Sequence, residues 1–132
     1  MKLKHILLAS LLFAVSWVFA QQSGGGTFDH ASGQSSGSIS SSFTVPSGST
    51  QARFSVYDSD PLFNDLLFES NWQDIPEGTK NWLCTFHFWC VDGEVCGPSG
   101  SSGEGSAELF IVVEFNYGGG KSESQVFQVK CP

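Results

Sequence analysis

The chain has 132 residues, 40 % of them hydrophobic, with 13 acidic side chains against 6 basic ones and a formal charge of −7. That length suffices for one domain with its own core, but it is small enough that covalent cross-links help. So acidic a surface suits neither nucleic acid nor anionic lipid, both of which reward Lys and Arg; divalent cations, basic proteins and mineral surfaces suit it better.

Lys2 and Lys4 precede an apolar run from Ile6 to Phe19 that ends at Val18-Phe19-Ala20, the pattern of a signal peptide over residues 1–20. No later stretch approaches the roughly 20 apolar residues of a spanning helix, so no integral membrane span is expected. The expected product is secreted and begins at Gln21. It keeps only Arg53, Lys80, Lys121 and Lys130 as basic residues against all thirteen acidic ones, a balance of −9. None of Asn64, Asn71, Asn81 and Asn116 is followed two positions later by Ser or Thr, and no N-linked glycan is expected.

Residues 21–42 are Gly- and Ser-rich with only Phe28 and Ile39 as bulky apolar side chains. Their composition predicts a flexible arm, with the folded domain over 43–132 starting near Phe43. Beyond it the pattern is alternation broken by turn residues, which predicts strands. "ARFSVYD" alternates Ala52, Phe54 and Val56 with polar or larger residues. "NWLCTFHFWCV" is apolar on both faces and predicts a central strand. "CVDGEVC" around Asp92-Gly93 predicts a tight hairpin. "GPSGSSGEGS", 97–106, predicts a flexible loop, and "AELFIVVEFNY" with "QVFQVKC" predicts a hairpin closed by a glycine-rich turn. The fold class is therefore all-β, most simply a small antiparallel β-sandwich, Ig-like in architecture, with a Phe- and Trp-rich interior.

Four cysteines in a chain bound for an oxidising compartment predict two disulfides. Their gaps of six, six and thirty-five residues do not fit the paired short spacings of a zinc site. Cys84 and Cys90 lie about 20 Å apart in one extended strand and cannot bridge. The hairpin favours Cys90 with Cys96, leaving Cys84 with Cys131; the other arrangement, Cys84 with Cys96 and Cys90 with Cys131, stays open.

The stretch that carries chemistry is "YDSDPLFNDLLFE", where Asp58, Asp60 and Asp65 fall within eight residues. Asp58 and Asp60 share a face at the end of a strand, Pro61 stops the ladder, and the chain turns back to Asp65, an arrangement that can offer calcium several oxygens. "FSVYDSDPLFNDLL", residues 54–67, resembles the third calcium-binding loop of C2 domains, in which an apolar strand runs into D-x-D and then N/D-D with two apolar residues. The resemblance implies Asp58, Asp60 and Asp65 as calcium ligands, with Asn64 beside the last, and a C2-like architecture as the other form of the sandwich. It extends to this loop alone: the gap from Asp60 to Asp65 is one residue short, Phe68 replaces a common glycine, and upstream of Asp58 only Asp29 could complete a site. The alternative is structural. Asp60 is a good helix N-cap, Pro61 a good first helical residue, and Leu62/Leu66 with Phe63/Leu67 pair at i, i+4 in a short amphipathic helix.

Catalytic candidates are sparse. His5 and His30 fall in the leader and the arm, His87 stands alone on the central strand, and no serine has a nucleophile-elbow context. "GSSGEGS" lacks the Lys of a phosphate loop. Asp74 with Glu77 and Asp92 with Glu94 read as solvated turn residues, and an aromatic carbohydrate platform would need Trp72, Trp82 or Trp89 exposed together. The sequence thus predicts a non-catalytic extracellular binding or matrix protein, weakly calcium-binding, whose partner is an extracellular protein or matrix component. The alternatives are a secreted effector, toxin or inhibitor recognising a protein target, and a small secreted hydrolase.

Overall fold

The computed structural model describes residues 36–131 and, for the backbone alone, 23–28. The expected leader, the expected cleavage point, Asp29 and His30 lie outside the described residues. Among the described residues the chain forms eleven strands and no helix: β1 (Ser23–Phe28), β2 (Gly37–Thr44), β3 (Gln51–Asp58), β4 (Asp65–Glu69), β5 (Gln73–Asp74), β6 (Asn81–Val91), β7 (Glu94–Gly97), β8 (Gly100–Ser101), β9 (Ser106–Phe115), β10 (Gly120–Glu123) and β11 (Phe127–Lys130). One sheet holds β1, β6, β7 and β8 in order, with β2 also on β6; the other holds β10, β9, β3 and β4, with β11 also on β9 and β5 on β3. Every pairing is antiparallel except that of β1 with β6.

The core follows from period-two alternation in the long strands. Trp82, Cys84, Phe86 and Phe88 of β6 are buried, and so are Ala52, Phe54 and Val56 of β3 and Ala107, Leu109, Ile111, Val113 and Phe115 of β9. Phe68 sits between the layers, its ring 5.3 Å from Phe54 and 5.5 Å from Phe86. At one edge the two sheets touch backbone to backbone: Ser99 N donates to the Leu67 carbonyl at 2.9 Å. Gly97 makes this approach possible, since a Cβ there would run into the Leu67 carbonyl and lie 2.8 Å from the Phe86 ring.

Part of the expected arm is folded. Residues 37–42 belong to β2, which pairs with β6 from Gly37↔Phe88 to Thr44↔Asn81. A strand with one face in the core needs apolar side chains only at inward positions. Ile39 and Phe43 supply them, while Ser40 bonds Thr85 through their hydroxyls at 2.9 Å on the outer face. Backbone pairing likewise takes the glycine-rich stretch 23–28 into β1.

The amphipathic helix is not formed. Asp65–Glu69 is strand β4, and a shift of register between Val56 and Tyr57 leaves Leu67 as the extra residue of a bulge. The bulge buries Leu67 and Phe68 in succession, while Leu62 and Phe63 stay exposed in the 59–64 loop, so the supposed i, i+4 pairs never meet.

The disulfide pattern also differs. One bridge is present, Cys90–Cys131, with Cα atoms 5.7 Å apart; Cys84 and Cys96 are free and buried. The reason is the parity of the hairpin. Asp92 and Gly93, at φ 52° and 79°, form a two-residue turn, which sets Val91 opposite Glu94, Cys90 opposite Val95 and Cys96 opposite Trp89. Cys90 and Cys96 therefore lie on opposite faces of the ribbon, and the Cys90–Cys96 and Cys84–Cys131 pairings are excluded. Nor can the two free thiols join: Cys84 points into the core, and Trp89, the partner of Cys96, lies on the other face about 17 Å further along β6. Burial pushes the Cys84 thiol up to about 12. Thiol titration of the folded, unreduced protein should thus give little reaction, and titration after denaturation should give two thiols per chain; none, or four, would contradict this arrangement.

Candidate functional site

Ala52, Phe54, Val56 and Asp58 are the inward positions of β3, so the pleat that builds the core also brings a carboxylate inside. Asp58 is only 5 % exposed. Its neighbours are fixed by register: Asp65 directly opposite on β4 and Leu109 on β9. Its Oδ1 accepts a hydrogen bond from the Glu108 amide at 3.2 Å, and the next residue, Ser59, donates its amide to the Glu108 carbonyl at 2.8 Å. Pro61, with no amide to donate, follows where the chain leaves the sheet.

The 59–64 loop is held by its own side chains. Asp60 Oδ1 accepts from the Leu62 amide at 3.3 Å, and Asn64 Oδ1 accepts from the Asp60 amide at 3.4 Å. Beside the loop opens a cleft of about 450 Å³ whose lining includes Asp58, Asp60, Glu104, Glu108 and Gln128. Asp65 faces Asp58 across the strands but does not line this cleft.

Burial raises the Asp58 carboxyl above its ordinary value; the Glu108 amide opposes that shift, and the charges of Asp65, Glu104 and Asp60 add to it. Two like charges directly opposite on neighbouring strands also repel. Asp58 and Asp65 are therefore brought together, and Asp58 and Asp60 share a cleft, but no three acidic, His or Cys side chains gather into a cation-holding group among the described residues. Calcium ligation by all three aspartates would require the loop to move onto the ion.

Two members of the cleft were not singled out from the sequence. Glu104 sits in the segment read as a loop, and Glu108 is an outward residue of β9 that becomes relevant only through the pairing of β3 with β9. Nothing in the local sequence marks either. The other candidates are dispersed. His87 lies opposite Ser38, and its Nδ1 is enclosed with no hydrogen-bond partner among the described residues. Trp82 is a core residue, Trp89 is half-buried on β6, and Trp72, between β4 and β5, carries Arg53 over its ring at 4.8 Å, so the three indoles form no common platform. Glu77 and Asp92 are exposed turn residues, whereas Asp74 is an exposed residue of β5 that accepts from Gln51 Nε2 at 3.0 Å.

The raised Asp58 carboxyl fixes the sign of a pH effect. The folded state prefers the protonated acid, so the cost of the charge is present in full above the raised value and is relieved as pH falls through it toward 3.8. Asp58→Asn, which keeps an acceptor for the Glu108 amide, should melt a few degrees above wild type at pH 7, and the gap should close as the pH falls to about 4. A lower Tm at pH 7 would show the charge to be stabilising. No family model, curated protein or solved structure matches this chain.

Proposed function

We propose that this chain is a secreted, non-catalytic binding protein of an extracellular setting such as a calcium-rich matrix, built as a C2-like or Ig-like β-sandwich, whose acidic end takes up calcium weakly. The observation that carries this reading is the juxtaposition of Asp58 with Asp65 on paired strands, with Asp60 in the loop between them. A half-screened pair of carboxylates lowers stability until a cation sits against it. The disulfide and the absence, among the described residues, of a helix long and apolar enough to cross a membrane are compatible with an extracellular site of action.

With few carboxylates and a loop that has to close, affinity falls in the range of extracellular modules, about 10⁻⁴ to 10⁻³ M. At several times its Kd, calcium should raise stability by about 1 kcal/mol, a shift of several degrees in Tm relative to chelator. The shift should vanish in Asp58→Asn combined with Asp60→Asn. A wild-type Tm indifferent to millimolar calcium would remove the calcium reading.

A second reading, a secreted effector, toxin or inhibitor that recognises a protein target, is favoured by one observation: Leu62 and Phe63, 87 % and 66 % exposed, stand side by side on the same loop. Large apolar residues presented together at a loop tip suit a protein contact. Nanomolar binding to a target, unaffected by chelator and weakened by Leu62→Ser, would favour this reading over calcium uptake.

A further inference from the structure

We infer that the cleft beside β3 receives an Arg or Lys side chain of a partner polypeptide, while Leu62 and Phe63 pack against an apolar residue next to it. This rests on the protein-recognition reading and names the chemistry of the partner.

Four observations converge on it. Asp58 is 5 % exposed and spends only Oδ1 on the Glu108 amide; its second oxygen makes no hydrogen bond among the described residues, in a side chain that lines the cleft. Asp60 and Glu104 line the same cleft, and among the described residues no basic side chain pairs with either: the ion pairs there are those of Arg53 with Glu69 and Glu114. The volume of about 450 Å³ far exceeds the roughly 30 Å³ of one water, and the carboxylates are spread around it rather than focused on a point. That geometry suits an extended organic cation with several donors and an apolar stem better than a bare ion. The fourth is the apolar pair. Pro61 lines the cleft and is followed directly by Leu62 and Phe63, so a partner that inserts its cation brings its neighbouring residue to them.

The charge complementarity is local as well as global. Against a balance of −9 after residue 20, a basic partner is attracted at long range, and the cleft offers an acidic recess in which the cation can meet Asp58, Asp60 and Glu104. A carboxylate already desolvated by the fold has given up part of its hydration, so less is lost when a guanidinium meets it.

The test uses the full mature chain in chelator and two synthetic peptides, one with a single Arg flanked by Leu and the other with citrulline in its place. The Arg peptide should bind, and the citrulline peptide at least about tenfold more weakly. Glu104→Gln, and separately Leu62→Ser with Phe63→Ser, should each weaken the Arg peptide about tenfold. Neither change removes a hydrogen bond made by a side chain, so the melting temperature serves as the check of folding. Equal binding of the two peptides, or full binding by either variant, would overturn the inference. So would binding to zwitterionic lipid vesicles that depends on Leu62 and Phe63 and is indifferent to Glu104→Gln, since that assigns the loop tip to a lipid surface. If the peptides fail while calcium still raises the Tm, only this inference falls; if calcium fails while the Arg peptide binds, only the calcium reading does.

Discussion

The structure depends on the pleat of β3. One strand supplies Ala52, Phe54 and Val56 to the core and, two residues further on, Asp58 to its edge; nothing can bury the first three without turning the fourth inward. Because β3 lies between β4 and β9, the same register that closes the six-stranded sheet also sets Asp65 opposite Asp58 and aims the Glu108 amide at its carboxylate. The acidic end is thus a consequence of how the core is packed. Its geometry is fixed by the sheet on the strand side, whereas beyond Ser59, whose amide is held by the Glu108 carbonyl, the loop relies on the side chains of Asp60 and Asn64.

Much of the fold was legible because alternation survives in the long strands. The apolar parity of β3, β6 and β9 and the Asp92-Gly93 turn could be read directly, and each is where it was expected. What failed did so for definable reasons. The serine-rich stretch 37–42 looked too polar to order, yet two inward residues four apart are enough when a ready-made neighbour, β6, offers Trp82 and Phe86 opposite them. The aspartate loop reads as helical because Asp60-Pro61 suits a helix start and Leu62/Leu66 with Phe63/Leu67 lie four apart, whereas the bulge at Leu67, which buries Leu67 and Phe68 in succession, leaves no mark in the sequence. The near-palindrome of "CVDGEVC" pointed to a bridge, but its centre of symmetry falls on Gly93, whereas a two-residue turn is centred between Asp92 and Gly93; that half-residue offset reverses the face on which Cys96 lies.

For the candidate site, the three aspartates were legible as a group and their separation was not. Proximity along a chain is a weak guide to proximity of oxygen atoms, because a strand end and a loop held by its own hydrogen bonds direct neighbouring side chains differently. Asp60 turns its carboxylate back onto the Leu62 amide, which removes it from any ready-made cage. Glu104 and Glu108 lie more than forty residues further along the chain, Glu108 in β9 and Glu104 just before it, and the pairing of β3 with β9 is long-range and leaves no local mark.

A buried carboxylate facing another across a sheet adds nothing to stability at neutral pH, and an amide of the same shape would satisfy the Glu108 amide as well. The fold therefore gives no reason of its own for a charge at position 58. What the charge can do is attract a cation, and the two cations considered ask different things of the chain. Calcium needs the loop to leave its own hydrogen bonds and bring Asp60 and Asp65 to bear on a common centre, so its binding energy is reduced by the cost of rearranging 59–64. A guanidinium or ammonium group meets the carboxylates where they already stand, and the exposed Leu62 and Phe63 then gain cover instead of remaining in water. The resting geometry thus suits the proposed basic side chain better than the proposed calcium ion, and because both would draw on the same carboxylates, the two readings predict competition.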